Sequence, residues 1–379
     1  MQLTPAAGDS PACGRRGARL LAAALALPGL AVHADNAPES ATLAVKVLDY
    51  RERQPGADRV KVVAPALSLV LPLGSRWSVA GTAISDSISG ASPAYHTSGL
   101  TTLTDHRKAA DLSVSRYFDN ATFTVGASYS TEADYRSRAL SLQGSLSSDD
   151  RNTTWTAGLA TSSDRINPIN RVVENEPKRV AELLVGVTQV LTEHDVVQVN
   201  AKWSRGRGYY SDPYKVFDNR PRERDLHSLL LRWNHHLPAT GGTLRSSWRW
   251  YGDTYGIRSH TLGLEYVQPL PEGWTLTPIL RLYSQGAARF YQPADPSSEP
   301  FPPNPPAGAE HYTQDQRMSA FGARTVGLKV SRQIGADWLA DVKIERYSQR
   351  GAWRWFGSGS ADLLPFDARS IQVGLSRRF

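Results

Sequence analysis

Along most of the chain, apolar and polar side chains alternate one by one over stretches of about ten residues, the period of a strand with two different faces. Leu140, Leu142 and Leu146 fall on one side of their segment, and Ser141, Gln143 and Ser145 on the other. The same alternation sets Phe123, Val125, Ala127 and Tyr129 against Thr124, Gly126 and Ser128. It returns in Val197, Val199, Ala201 and Trp203, which alternate with Gln198, Asn200, Lys202 and Ser204. Near the end, Trp338, Ala340, Val342 and Ile344 alternate with Leu339, Asp341, Lys343 and Glu345. Long stretches of helical period are absent, so the expected class is all-β.

The pattern predicts strands at 41–51, 59–71, 76–88, 107–117, 121–131, 135–147, 152–163, 179–191, 195–206, 224–236, 243–253, 257–270, 273–285, 317–332, 336–348 and 367–379. That makes about 16, an even number, as single-chain bacterial barrels have. Alternation alone does not separate a membrane barrel from a soluble sandwich, because both leave each strand with one apolar face. The connections separate them. Every second one is a tight turn rich in Gly, Asn, Asp and Pro, as in Pro72-Leu73-Gly74-Ser75, Asp119-Asn120, Pro271-Glu272-Gly273 and Gly335-Ala336-Asp337. The intervening ones are mostly longer, notably 89–106, 164–178, 207–223, 286–316 and 349–366. Short turns on one rim and long loops on the other predict a transmembrane antiparallel up-and-down β-barrel, with periplasmic turns and extracellular loops.

Aromatic residues follow the same scheme. Trp77, Phe123, Trp155, Trp274 and Trp338 stand just after the expected short turns, and Phe118, Trp233 and Phe379 near strand ends that approach that rim. Such a ring suits a lipid–water interface, where one side of each aromatic is apolar and the other wet.

The first residues add the compartment. Arg15, Arg16 and Arg19 precede the apolar run Leu20 to Leu30, and Ala31-Val32-His33-Ala34 follows. A charged segment, an apolar segment and a small-residue cleavage site predict a secretory signal peptide over 1–34 and a mature barrel over 35–379. The apolar run is shorter than the roughly 20 residues a spanning helix needs. The one cysteine, Cys13, lies in that leader, so the mature chain needs no disulfide and has no thiol nucleophile. A mean hydropathy of −0.39 is compatible with membrane insertion, since a barrel strand shows lipid only at every second residue.

The net charge of +7 shrinks to a modest positive excess once the leader is removed. It fits contact with a lipid bilayer and with anionic lipopolysaccharide, and does not point to nucleic acid. The chain ends in a strand, Ile371, Val373 and Leu375 leading to Phe379, which resembles the carboxy-terminal signal read by the outer-membrane assembly machinery. Arg377 departs from that signal, where an aromatic is commoner. The expected location is the cell outer membrane. Whether a protein of the envelope is a further partner, and how many copies assemble, stays open.

Several short motifs sit where strands meet the long-loop rim: Asp86-Ser87-Ile88-Ser89-Gly90-Ala91-Ser92-Pro93, Ser130-Thr131-Glu132-Ala133-Asp134-Tyr135, and Ser211-Asp212-Pro213-Tyr214-Lys215 with Arg220-Pro221-Arg222. Tyr251-Gly252-Asp253-Thr254-Tyr255 and Tyr283-Ser284-Gln285-Gly286-Ala287, continuing to Phe290-Tyr291, belong with them. Together they resemble the domain-of-unknown-function family numbered 3570, over nearly all of the mature chain. The resemblance implies an outer-membrane barrel and carries no catalytic or binding residues with it.

Read physically, the Asp, Ser, Gly and Pro of these motifs suit turns and loop anchoring. A binding site at the barrel mouth would draw on Asp86, Glu132, Asp134, Asp212, Arg220 and Arg222. Arg232, Arg249 and Arg281, with Lys46, Asp111, Lys202, Arg245, Glu265, Lys329, Asp341, Lys343 and Glu345, are expected to face the lumen. These charges would pair and fill the barrel, or line a wet channel with mild preference for anions. The expected function is therefore a channel or an envelope scaffold.

Two other classes stay open. A barrel-wall hydrolase would need a serine, a histidine base and an orienting group; His227, His260 and the Asp225/His227 pair are the nearest material, and nothing selects a triad among them. A soluble periplasmic β-protein is the other. The nine histidines are dispersed without ligand spacing, so no metal or other cofactor is expected. The proline-rich stretch with Pro300, Pro302, Pro303, Pro305 and Pro306 reads as an extended solvated loop.

Overall fold

The computed structural model describes residues 36–93, 100–215, 217–293, 305–361 and 363–379, with side chains described except at 88–93 and 100–104. The expected leader, and Pro300, Pro302 and Pro303, lie outside the described residues. Sixteen strands pair in sequence order and close on themselves as an antiparallel barrel. They are β1 (Thr42–Gln54), β2 (Ala57–Leu73), β3 (Trp77–Pro93), β4 (Leu100–Tyr117), β5 (Ala121–Thr131), β6 (Tyr135–Ser147), β7 (Thr153–Ile166) and β8 (Glu176–Val190). The second half comprises β9 (Asp195–Gly208), β10 (Glu223–Leu237), β11 (Gly242–Asp253), β12 (Arg258–Pro269), β13 (Trp274–Gln285), β14 (Phe321–Ile334), β15 (Trp338–Arg350) and β16 (Phe366–Arg378).

Closure comes from β1 against β16, in a register that sets Val47 opposite Val373. The backbone of Phe379 completes the seam, exchanging bonds of 2.9 and 3.0 Å with Ala41. Closure leaves no strand edge unpaired, which a membrane core requires of any sheet. A strand of 13 residues such as β6, tilted by roughly 45°, rises through about 30 Å, the thickness of a bilayer's hydrocarbon.

The alternation sets the two faces. On β1, Ala44, Lys46 and Leu48 are buried on the inside while Val45 and Val47 are exposed outside. Around the outer wall Leu67, Leu112, Leu140, Leu159, Leu183, Leu264, Leu280, Leu328, Val342 and Val373 are likewise exposed, a continuous apolar band. A soluble protein does not leave such a band uncovered. All eight aromatics expected on the short-turn rim are exposed there, from Trp77 to Phe379. Five of them carry an arginine on the ring face: Arg116 on Trp77 and Phe118 at 4.7 and 5.4 Å, Arg332 on Trp274 at 4.9 Å, and Arg377 on Trp338 and Phe379 at 5.2 and 5.9 Å.

Two differences from the sequence-based windows are local. β3 and β4 pair as far as Pro93 and Leu100, so the connection expected over 89–106 is reduced to 94–99. β14 starts at Phe321 rather than 317, because Gln316–Met318 forms a short 3₁₀ turn in which the Asp315 side chain accepts from the Arg317 amide. At Gly208 the backbone takes φ +130 and passes so close to the Pro177 carbonyl that a Cβ would collide with it, which ends β9 and turns the chain inward. No helix among the described residues is long and apolar enough to cross a membrane.

Candidate functional site

The inner wall at the long-loop rim is polar and tightly paired. Tyr135 on β6 donates to Asp164 on β7 across 2.5 Å, and Ser137 donates to the other oxygen of the same carboxylate at 2.7 Å. Lys178 on β8 completes the group, 2.9 Å from both Asp164 and the Tyr135 hydroxyl. On β10 and β11, Arg224 donates through Nε to Asp253 at 2.9 Å, and Tyr251 donates to that carboxylate at 2.7 Å. The guanidinium of Arg224 also covers the ring of Tyr255 at 4.4 Å. On the neighbouring wall, Asp86 on β3 accepts from Arg107 on β4 at 3.0 Å.

Against this wall fold two long connections, 209–222 and the described parts of 286–320. Gln285, the last residue of β13, donates to the carbonyls of Arg317 and Ser319 at 3.0 and 2.6 Å and so fixes the second of them inside the mouth. Backbone bridges join Asn219 to Tyr312 and Tyr291 to Thr313. A small core of Tyr210, Tyr251, Tyr255, Ile257, Ala288, Tyr291 and Met318 packs between the loops and the wall. Tyr255 and Phe290 meet edge to face at 5.0 Å. These aromatics give the loops the apolar burial that a solvated loop lacks.

The two connections are bolted together by charge. Arg317 reaches Asp212 at 2.5 Å and also pairs with Asp315. Arg220 pairs with Asp315 at 2.8 Å and with Asp218 at 2.9 Å. Tyr214, two residues after Asp212, donates to Asp134 at 2.6 Å and extends the network to the β5–β6 turn. All of these carboxylates and guanidiniums are buried. Burial opposes the charge on Arg220, but Asp218 and Asp315 outweigh it and hold the guanidinium above its ordinary value; Asp315 and Asp212 do the same for Arg317. Burial pushes the Asp218 carboxyl up, Arg220 pulls it down, and Asp212 and Asp315 push it up again. Three carboxylates thus share two guanidiniums, and the proton that Asp218 retains more readily than an ordinary aspartate brings the group toward neutrality.

Of the sequence-predicted mouth residues, Asp134, Asp212 and Arg220 come together in this network, while Asp86 pairs separately with Arg107. Glu132 is half-buried in the turn before β6, its amide bonded to the Tyr135 carbonyl. Arg222 lies outside the network, exposed and paired with Glu176. Asp218, Arg224, Asp253, Asp315 and Arg317 were not singled out as site residues in the sequence. Asp253 sits in one of the rim motifs, and Asp315 and Arg317 form a charged Asp-x-Arg step beside the proline-rich stretch.

Below the mouth, the inner wall from β10 to β13 is an arginine face. Arg232, Arg245, Arg249 and Arg281 all occupy inward positions, with Arg232 donating to Gln198 at 3.3 Å and Arg249 to Thr261 at 3.2 Å. Arg245 faces Glu265 in register. Lys202 pairs with Glu182 at 2.9 Å and Lys343 with Glu345 at 3.0 Å. Asp111, Ser128 and Arg245 point inward and are still exposed. On β1 to β3 the inner face also holds an apolar cluster of Leu48, Val62, Ala64, Ala66 and Ile84, flanked by buried Lys46, Ser68 and Asp86.

The histidines weighed for a hydrolase stand elsewhere. His227 is exposed on the outer wall, and His260 stacks on Trp248 at 5.9 Å with Phe356 edge-on at 5.4 Å, an aromatic setting. Among the described residues no group of three His, Cys, Asp or Glu side chains is placed to hold a metal ion.

A search of curated protein sequences returns no match. Among solved structures, the chain is similar to a bacterial polysaccharide outer membrane secretin, with 10% identity and a TM-score of 0.51 over 90% of this chain and 98% of that one. It is similar to CdiB from Acinetobacter baumannii at 11% identity and a TM-score of 0.51, covering 89% of this chain and 60% of that one. It also aligns with OccK2 (OpdF) from Pseudomonas aeruginosa, in complex with glucuronate, at 13% identity and a TM-score of 0.46, over 90% and 98% of the two chains. At these identities the likeness is one of fold. The family described as a protein of unknown function, DUF3570, matches residues 17–102, 97–177 and 169–370. With this match running nearly the length of a closed sixteen-stranded barrel, the chain belongs to the DUF3570 family and has the fold of the outer-membrane barrel proteins.

Proposed function

We propose that this protein is a passive channel of the bacterial outer membrane, with a lumen that favours small anions and a mouth narrowed by its own ion-paired loops. The observation that carries this reading is the inner wall: Asp111, Ser128 and Arg245 face inward yet stay exposed, as in a water-filled lumen, while four arginines line β10 to β13. A barrel interior that served only as a packed scaffold would bury such groups or replace them with apolar ones. The outer apolar band and the rim of exposed aromatics support insertion in a bilayer, and the short turns would then face the periplasm. Lining positive charge attracts anions and repels cations at close range.

Swelling of liposomes that contain the folded protein tests the reading. Small anionic solutes such as monosaccharide acids are expected to enter faster than neutral sugars of the same size. Equal exclusion of both, with the protein inserted, would refute it.

A further inference from the structure

On the outer wall at the long-loop rim, β6 to β9 carry a cluster of outward arginines. Arg136 and Arg138 on β6, Arg165 on β7, Arg179 on β8, and Arg205 and Arg207 on β9 all occupy positions that alternate with inward residues, and all are exposed. Register places Arg136 directly opposite Arg165, and Arg179 directly opposite Arg207. Ser163 stands between Arg138 and Arg179, opposite each of them. Like charges at directly opposite positions on neighbouring strands destabilise a sheet unless an anion lies between them.

Protein carboxylates neutralise only one flank. Arg207 pairs with Glu223 at 3.2 Å, and Arg205 stands 3.9 Å from Asp225, both acids being on β10. Among the described residues, Arg136, Arg138, Arg165 and Arg179 form no ion pair; Arg165 donates only to the backbone carbonyl of Asn175. The same strands continue below the cluster into exposed apolar wall, with Leu140 and Leu142 on β6, Leu159 on β7, and Leu183 and Val185 on β8. The surface therefore offers guanidinium groups at its top and a hydrocarbon-like face immediately beneath.

We infer that this face binds the phosphate-bearing headgroup of a membrane lipid, with the acyl chains running down the apolar wall. Guanidinium forks match phosphate oxygens two at a time, and several converging on one anion hold it more tightly than a free ion in water. An acidic protein would satisfy the arginines and leave the adjoining apolar wall uncovered. A phosphorylated lipid satisfies both. In the orientation with short turns in the periplasm, the cluster lies at the outer leaflet, where phosphorylated glycolipid is the matching chemistry. The inference concerns the outer wall alone and stands or falls independently of conduction through the lumen.

The test uses the full chain, folded and freed of lipid in detergent, with bis-phosphorylated lipid A as probe and binding read by native mass spectrometry. The quadruple variant R136Q/R138Q/R165Q/R179Q is expected to bind the probe at least tenfold more weakly, while R116Q/R332Q/R377Q, with its changes on the other rim, binds as the natural protein does. Dephosphorylated lipid A is expected to bind neither tightly. Equal binding by the natural and quadruple proteins, or by phosphorylated and dephosphorylated probe, would overturn the inference. So would full displacement by inorganic phosphate at equal concentration, which would make the cluster a free-anion site. Should the quadruple variant fail to show the heat-modifiable mobility of a folded barrel, R138Q/R179Q carries the same test with a smaller expected loss.

Discussion

Nη2 of Arg317 lies 2.5 Å from Oδ2 of Asp212, joining two connections whose residues are 105 apart in sequence. Through this contact the segment before β14 is held against the segment after β9, where Met318 packs with Tyr210, Tyr251 and Tyr255. Breaking a buried ion pair from one side leaves the other charge uncompensated, at a cost of about 3–5 kcal/mol. Asp212→Ala is therefore expected to loosen the mouth while leaving the barrel intact. Limited proteolysis should cut within 209–222 and 305–320 far faster than in the natural protein, with heat-modifiable mobility unchanged. Unchanged cleavage would show that Arg317 does not hold the loops.

Asp218 sets a pH dependence of definite sign. Burial raises its carboxyl above the ordinary value of 3.8, so the folded mouth binds that proton more readily than the unfolded chain does. Its contribution to stability is fully present below the ordinary value and is lost as pH rises through the raised one. Hydrogen exchange at Asn219 and Tyr312, whose amides bond each other's carbonyls at 2.8 Å, reads it directly. Corrected for intrinsic rate, protection should rise as pH falls through this window. Asp218→Asn should flatten that part of the profile, and a flat profile in the natural protein would contradict the assignment.

The arginine face of the lumen predicts a change in selectivity without a change in fold. Arg232→Glu with Arg281→Glu reverses two charges on the inner wall of β10 and β13. Across a salt gradient the zero-current potential is expected to move toward the cation side. An unchanged potential would mean that ions do not pass along this wall.

The arginine at the penultimate position of the final strand is explained by its stacking. Arg377 covers Trp338 at 5.2 Å and approaches the Phe379 ring at 5.9 Å, so the guanidinium occupies the place of a further aromatic in the girdle. An exposed cation–π pair contributes about 0.5–1 kcal/mol. A double-mutant cycle of Arg377→Ala and Trp338→Ala, read by urea unfolding in detergent, should give a coupling of about that size. Additive effects would leave Arg377 without a structural role.

The strands were legible because alternation between lipid and lumen imposes a period of two on every one of them. The windows 121–131 and 135–147 coincide with β5 and β6 to the residue. Legibility fails where that contrast ends. The outer part of β4, Thr101-Thr102-Leu103-Thr104, has no apolar alternation to mark it, so the sequence pattern there does not show a strand. The expected strand 317–332 begins four residues early, because Asp315 caps a 3₁₀ turn over Gln316–Met318. The mouth was half visible: Asp212 and Arg220 stand in motifs whose composition suits loop anchoring. Their partners Asp315 and Arg317 lie on a distant connection, and no local periodicity encodes a contact of that range.

The most direct test of the central claim is the single-channel current of the folded full chain in a planar bilayer under a salt gradient. The account predicts a small, steady conductance with a zero-current potential on the anion side, and a larger conductance for Asp212→Ala. An inserted, heat-modifiable barrel that passes no ions, with or without that substitution, would contradict it.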